Sequence, residues 1–442
     1  MSLIVSKYGG SSSTCTEDVK RKKFIAEADP RRKIIVLSAH GKLAGEDKDT
    51  DLLIKLSRNS DPSLKQKLLD KARFIYTELP RAAFNEVEQE LERRLQTTGE
   101  SREDAIKSWG EYACAKLTAN ALGFEFIDPR ELFVLTPEFG NAKILESSRG
   151  LIRKRLETIK GVCVIPGFYG YTEDGLIATL SRGGSDLTGA YVAAALGAEI
   201  YENFTDSPVL TTDPKLISKN PAVIKQITYK ELRDLSYSGF GIFHPEAVLP
   251  VKKEGIPIHV RSTTKFPEEG TYVMQNRLCR TDRPVVGIAF KGGYCAIDIQ
   301  KDGLNEQRGV GRKLLEILDR NKLSYELMPG AIDDISIILQ QNQMGDQLLN
   351  RVMGEMYGAV GDNDAEVKHR ENLGILVVAG KGISQSGNIE SRIHGALERA
   401  HVNDQFGSKG STKRCIICGI YETDGPRAVQ ALFEEFPYLF AA

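Results

Sequence analysis

The chain has 442 residues and carries 59 lysines and arginines against 60 aspartates and glutamates, for a formal net charge of −1. That length exceeds one ordinary core and suits two or three domains. The charge balance leaves no electrostatic footprint for nucleic acid or an anionic membrane surface, so small polar ligands and protein partners are the expected company. Seven cysteines, an odd number spread along the chain, are read as free thiols of a reducing cytosol instead of a disulfide framework or a zinc site. No apolar run reaches the roughly 20 residues that span a bilayer, and the polar start lacks the apolar core of a signal peptide. The expected location is the cytoplasm.

The first predicted strand, 3–6, runs straight into Lys7, Tyr8, Gly9, Gly10, Ser11 and Ser12. A glycine pair lets the backbone turn where a Cβ would clash, so successive N–H groups can face a phosphate while Lys7 adds a positive charge beside them. An ordinary turn before a helix has the same letters. Further strands are predicted at 33–38, 162–165, 176–180 and 200–204 with helical stretches between, the alternation of a largely parallel sheet covered by helices on both faces. Residues 63–122 interrupt it with long charged helices, read as an insertion beside the sheet whose charges face solvent. The helix predicted over 102–122 carries the apolar stripe Trp109, Ala113 and Leu117. The line through Glu111 continues with Ala115 and Thr118, small side chains that leave room for a ligand. A second strand-glycine-helix junction lies at 176–196, where L-I-A-T-L leads into S-R-G-G-S-D and an alanine-rich helix. Two such junctions in one domain suggest one shared site at the ligand edge of the sheet.

Past T-D-R-P at 281–284 the pattern becomes short strands and amphipathic helices. Strands at 285–290, 295–300, 324–328 and 335–340, with helices at 309–320 and 347–357, make a first β-α-β-β-α-β unit. Strands at 373–378 and 414–420, with helices at 388–401 and 427–436, make a second. A plain α+β dimerisation module shows the same pattern.

K-Y-G-G-S-S at 7–12, S-W-G-E at 108–111 and S-R-G-G-S-D at 181–186, in this order, with P-G-F-Y-G-Y-T-E-D-G from 166, resemble the signature set of the aspartokinases of the amino-acid kinase superfamily. The resemblance covers essentially the whole chain. It implies an α/β amino-acid kinase fold over 1–283, a mostly parallel sheet sandwiched by helices. A regulatory region, 284–442, then holds two α+β, ferredoxin-like ACT domains near 294–370 and 371–442, one nested in the other. The implied reaction is ATP-dependent phosphorylation of the L-aspartate side-chain carboxylate to 4-phospho-L-aspartate, which opens the route to lysine, threonine and methionine. ATP and Mg2+ are the expected cofactors, the metal held mainly by the ATP phosphates with no direct protein ligand. A cytoplasmic homodimer is expected, with tetramers left open, and neither nucleic acid nor membrane is an expected partner.

The resemblance also assigns residues. An amino acid is gripped by its two backbone charges, and Glu111 for the ammonium with the Arg182 fork for the α-carboxylate are the matching pair. Ser38, Thr50 and Ser185 are expected against the same aspartate, although their hydroxyls serve equally as local caps. His40 and Lys42, in the polar loop between Ala39 and Thr50, are read as solvent-facing. A side-chain carboxyl with a pKa of about 3.9 is already ionised at neutral pH, so no general base is needed. Catalysis reduces to joining two anions and stabilising the moving phosphoryl group, the task of Lys7 and the Gly9 and Gly10 amides, with Ser11 nearby and Asp186 orienting Lys7.

T-D-S-P-V-L-T-T-D-P-K at 205–215 resembles the nucleotide-bordering segment of the family but is one residue shorter and lacks its Gly and Tyr. It carries over Thr205, Asp206, Asp213 and Lys215, the last standing where arginine is common. In S-G-F-G-I-F-H-P, 238–245, Gly241 stands where many relatives have an ATP-contacting lysine, while His244 and Pro245 match and are read as structural. An amino-acid effector is expected across a homodimer interface near Leu304, Gln307, Gly309, Val310, Ser324 and Glu326, with lysine favoured over threonine and both left open. Two alternatives stand beside this reading: a kinase for glutamate or acetylglutamate, and a silent sensor of nucleotide and amino acid. The ammonium carboxylate and the double ACT tail disfavour the first, and retention of Lys7, Glu111, Arg182 and Asp186 disfavours the second.

Overall fold

The computed structural model describes residues 2–43, 45–59, 61–181, 183–237, 239, 248–361, 364–409 and 413–441. The chain divides into two compact units: 1–209 with 223–229 and 241–277, and 210–222 with 230–240 and 278–442. A single cut at 283 does not reproduce them, because two short segments that precede it, 210–222 and 230–240, fold with the second unit.

In the first unit, β1 (Ile4–Tyr8) and β2 (Arg32–Leu37) are followed by β3 (Glu125–Phe126), β4 (Val134–Leu135), β5 (Cys163–Pro166), β6 (Tyr169–Thr172) and β7 (Ile177–Thr179). Then come β8 (Ile200–Thr205), β9 (Gln226–Thr228), β10 (Ile258–Ser262) and β11 (Thr271–Met274). Eight of these form one sheet in the order β3-β5-β2-β1-β8-β10-β11-β9, in which every neighbouring pair is parallel except β10 with β11. Every residue of β1 is buried, as expected of a strand with helices on both faces. The expected strand at 176–180 forms, but as β7 it leaves this sheet and pairs antiparallel with β6 in a small sheet β4-β6-β7.

The charged stretch does fold as helices, Pro62–Ile75, Arg81–Leu95, Arg102–Lys107 and Trp109–Leu122, joined by Asp49–Asn59 before them. Leu53, Leu69, Val87, Leu91, Trp109, Ala113 and Leu117 form their common core. Two expectations need correction. The single helix over 102–122 is broken at Ser108, whose hydroxyl bonds back to the Ala105 carbonyl at 3.1 Å and so competes with the helical ladder. The line behind Glu111 is filled: Ala115 is core, and the Thr118 hydroxyl lies 2.9 Å from the Tyr76 hydroxyl.

The second unit is built on β12 (Gly287–Gln300), β13 (Tyr325–Leu327), β14 (Asp334–Gln340), β15 (Glu366–Ala379), β16 (Phe406–Ser408) and β17 (Cys415–Tyr421), an antiparallel sheet in the order β13-β14-β12-β15-β17-β16. Helices Val310–Arg320 and Asp346–Val360 pack on one half, Ile389–Arg399 and Gly425–Glu435 on the other. The strands expected at 285–290 and 295–300 are one strand. The glycines at 292 and 293 make a register shift against β15 instead of a break, so β12 and β15 run through both halves. Cys415 and Cys418 stand in a C-I-I-C run, yet three residues apart on a strand point to opposite faces, and both are free thiols. Among the described residues no helix is long and apolar enough to cross a membrane.

Candidate active site

Parallel register brings the C-terminal ends of five strands to one edge. Tyr8 pairs with Leu37 and Phe204, Leu37 with Pro166, and Thr205 with Ser262. Lys7, the glycine turn, Ser38, Gly167 and Thr205 therefore share the edge where open α/β sheets take their ligands. Lys7, itself buried, places Nζ 2.7 Å from Oδ1 of Asp186, and Asn203, its direct partner on β8, donates to the same oxygen at 2.7 Å. Asp186 lies in the first turn of the helix Gly184–Leu196, whose N-cap Gly183 takes φ of 77°, a conformation that favours glycine. The two sequence junctions thus meet at one ion pair.

The glycines of the cradle differ in kind. A Cβ on Gly10 would lie 2.9 Å from the Ala39 carbonyl oxygen, whereas one on Gly9 would meet nothing nearer than 3.7 Å. Gly10 is demanded by packing and Gly9 is not. The Gly9 amide donates to the Phe204 carbonyl at 3.0 Å, Ser11 is exposed, and the Ser12 hydroxyl lies 2.6 Å from that of Thr263. Under the turn, buried Lys22 donates to the Ser12 carbonyl, and burial lowers its pKa to about 8.

Glu111 sits in the first turn of Trp109–Leu122, only 6% exposed. Burial pushes its carboxyl up to about 8, the charges of Cys114 and Asp49 add to that, and a hydrogen bond from the Ala39 amide opposes it. A buried carboxyl with no cationic partner among the described residues is a ready acceptor for an ammonium group. Ser185 is buried against Gly167, where a Cβ would stand 2.7 Å from the serine Cβ. Next along the chain, Phe168 takes φ of 75°, held by a bond from its amide to the Thr188 hydroxyl at 3.0 Å, the kind of strain that concentrates at functional sites.

Thr50, half-buried, stands in the first turn of Asp49–Asn59, and Lys42 is exposed as expected. His40 is not solvent-facing. It is 4% exposed, with Nδ1 2.9 Å from Asp49 Oδ2, because Asp49 and Lys71 supply the partners that let it be buried. Arg182, Gly241, His244 and Pro245 lie outside the described residues. Thr205 is half-buried at the end of β8 and Asp206 is exposed, its carbonyl accepting from Ser262 at 3.0 Å. Asp213 and Lys215 belong to the second unit, where Asp213 caps the short turn Pro214–Leu216 by accepting from the Lys215 amide at 2.9 Å. Asn203, Lys22 and Phe168 were missed; only Asn203, polar inside I-Y-E-N-F, left a trace in the sequence.

The expected effector residues do not converge within one chain. Leu304 and Val310 are core of the first half of the second sheet, with Gln307 half-buried and Gly309 exposed. They follow β12, whose last residue Gln300 pairs with Asp334 at one end of β14. Ser324 precedes Tyr325, which pairs with Leu339 toward the other end. Glu326 accepts from Gln340 at 2.8 Å and lines a cavity of about 310 Å³ with Tyr294, Tyr325, Ile375 and Cys415.

Residues 2–262 match the model of the amino acid kinase family. The chain is 37% identical to aspartokinase 3 of Bacillus subtilis, over 98% of each chain. It is 25% identical to the lysine-sensitive aspartokinase 3 of Escherichia coli, over 97% of this chain and 98% of that one. Among solved structures, the Clostridium acetobutylicum aspartate kinase superposes with a TM-score of 0.86 at 31% identity, covering 98% of this chain and 100% of that one. E. coli aspartokinase III in complex with aspartate and ADP superposes with a TM-score of 0.78 at 24% identity, covering 98% and 99%, a likeness of fold. With a glycine turn, a lysine–aspartate pair and a buried glutamate at one sheet edge, and with relatives matched end to end, the chain belongs to the amino acid kinase family and, within it, to the aspartokinases.

Proposed function

We propose that this protein transfers the γ-phosphoryl group of ATP to the side-chain carboxylate of L-aspartate, yielding 4-phospho-L-aspartate, in the cytoplasm. The observation that carries the reading is the pairing, at one sheet edge, of the Lys7–Asp186–Asn203 cluster beside the glycine turn with the buried Glu111 carboxyl. Glu111 would take the aspartate ammonium and Arg182 its α-carboxylate, with Ser38, Thr50 and Ser185 along the chain of the substrate. The attacking carboxylate is already an anion, so the work is to hold two anions in line and balance the charge that builds on the phosphoryl oxygens. Lys7 and the Gly9, Gly10 and Ser11 turn would do this, with Asp186 and Asn203 keeping the ammonium aimed. Mg2+, carried mainly on the ATP phosphates with no direct protein ligand, would supply further charge neutralisation, and Asp186 would help to organise the metal-phosphate cluster through Lys7. Thr205, Asp206, Asp213 and Lys215 are assigned to the nucleotide.

The kinase portion is taken as 1–283, and 284–442 as two nested ACT domains near 294–370 and 371–442 that sense lysine, threonine or both, with lysine favoured. The placement of Leu304, Gln307, Gly309 and Val310 away from Ser324 and Glu326 along the sheet supports an effector bridging two chains of a homodimer. The test is acyl phosphate formation from L-aspartate, ATP and Mg2+, trapped with hydroxylamine, for the wild type beside Lys7→Ala and Arg182→Ala. Activity that collapses in both variants is expected. A wild-type protein that binds ATP but turns over no aspartate overturns the kinase reading in favour of a sensor.

A further inference from the structure

The turn 38–41 after β2 is held on several sides. Ala39 packs so closely on the helix Trp109–Leu122 that a Cβ at Gly110, the residue before Glu111, would lie 2.9 Å from its own. Gly41 abuts Gly10, and its amide donates to the Ser13 carbonyl at 3.3 Å. Between them His40 turns inward. Its Nδ1 donates to Oδ2 of Asp49 at 2.9 Å, and Lys71 Nζ takes Oδ1 at 2.7 Å, all three side chains sealed from solvent. The ring meets Tyr76 edge-on at 5.7 Å, and the Cys114 thiol is the other polar group that faces it. A buried cluster of this kind gains little stability over an apolar trio of the same shape, because desolvation offsets the Coulomb attraction. What it does supply is direction. The same Asp49 carboxylate fixes the turn that carries Ala39, the helix that carries Thr50 and, through Lys71, the helix Pro62–Ile75.

We propose that His40 and Asp49, anchored by Lys71, are positioning residues for aspartate: they lock the turn 38–41 so that Ala39 stays packed against Gly110 and the adjoining Glu111 keeps the place from which it meets the substrate ammonium. The inference rests on Glu111 as the ammonium ligand. The test compares KM for aspartate, KM for ATP, kcat and thermal midpoint in wild type, His40→Ala, His40→Asn, Lys71→Met and Glu111→Gln. His40→Ala is expected to raise the aspartate KM about tenfold or more while the ATP KM stays within about threefold. His40→Asn, whose amide can donate from near the Nδ1 position, recovers most of the loss. In the Glu111→Gln background His40→Ala adds less than about twofold, since the group being positioned is gone. Aspartate and ATP KM rising together in step with a falling midpoint, or an asparagine no better than alanine, overturns the proposal. Should His40→Ala not fold, Lys71→Met, which changes no residue of the turn itself but loosens the Asp49 carboxylate that holds it, is expected to move the aspartate KM in the same direction, and an unchanged value overturns it equally. Glu111→Gln with an unchanged aspartate KM instead defeats the ammonium assignment, a separate result.

Discussion

Adjacent glycines at 9 and 10 do different jobs, and the difference is measurable. At Gly10 a methyl group would meet the backbone oxygen of Ala39 at 2.9 Å, an atom that cannot swing aside. Gly10→Ala should therefore cost on the order of 1–3 kcal/mol of stability by overpacking, seen in urea melts without ligand. At Gly9 the nearest atom is 3.7 Å away, and φ of −72° suits any residue. Gly9→Ala should leave the melt within about 0.5 kcal/mol of wild type while raising the ATP KM, because only a bound phosphate needs that space. Equal melts for both variants would remove the distinction. Glu111 carries a pH signature. Its folded pKa of about 8 stands above the ordinary 4.5, so the folded chain holds the proton more tightly. The stability this confers is full below pH 4.5 and is lost as pH climbs through 8. Without aspartate, Glu111→Gln should match or exceed the wild type in thermal midpoint at pH 8, with the gap closing by pH 5, while its aspartate KM rises. An arriving ammonium draws the carboxyl back down, so aspartate binding should release a proton near neutral pH. Calorimetry in buffers of different ionisation enthalpy reads this directly, and binding without proton release would sink the electrostatic account.

Elements whose identity depends on near neighbours were legible, and those whose identity depends on distant partners were not. β1, β2, β5 and β8 announce themselves as apolar runs bounded by turns, and the glycine turn and the helix bearing Asp186 follow directly from their ends. Lys7 and Asp186 could be matched because each belongs to a local motif, and parallel register then does the rest. The strand at 176–180 was visible but its sheet was not, since nothing in I-A-T says whether it pairs with β1 or with β6. His40 was misread because its loop, H-G-K-L-A-G-E-D-K-D, is mostly polar. The partners that let it be buried, Asp49 and Lys71, stand 9 and 31 positions away and come together only in the fold. Gly292 and Gly293 looked like a stop between strands because a glycine pair ordinarily ends one. The long pairing of β12 with β15 absorbs them as a register shift. Asn203 shows the intermediate case, a polar residue in an apolar strand whose purpose appears once its neighbour across the ladder is known to be Lys7.

For the whole molecule, the path of the chain decides what can be separated. Every described residue of the proposed aspartate and phosphate site, Lys7 to Thr205, precedes the T-D-R-P junction, which makes truncation after 283 look harmless. The second unit, however, also owns 210–222 and 230–240. Within it the Thr211 hydroxyl and the Ala222 amide both donate to the Leu439 carbonyl, at 2.6 and 2.8 Å, and the Ala441 amide donates to Asn220 at 2.9 Å. Glu231 accepts from the Lys381 amide at 2.6 Å, Asp234 from Arg414 at 2.8 Å, and Leu216 and Ile217 pack on the core that includes Leu432 and Phe433. A chain ending at 283 strips these segments of their hydrogen-bond partners and leaves apolar side chains in water, each lost backbone bond or bared side chain costing on the order of 1–3 kcal/mol against a total of about 5–15. Such a fragment is expected to aggregate or to elute as a swollen species that binds an apolar dye, with aspartate turnover falling at least tenfold, although it keeps Lys7, Glu111 and Asp186. A monodisperse 1–283 fragment with wild-type turnover would show instead that 210–222 and 230–240 can refold onto the kinase portion. The catalytic sequence and the regulatory sheet would then be separable parts, where the interleaved chain argues that losing one disorders the other.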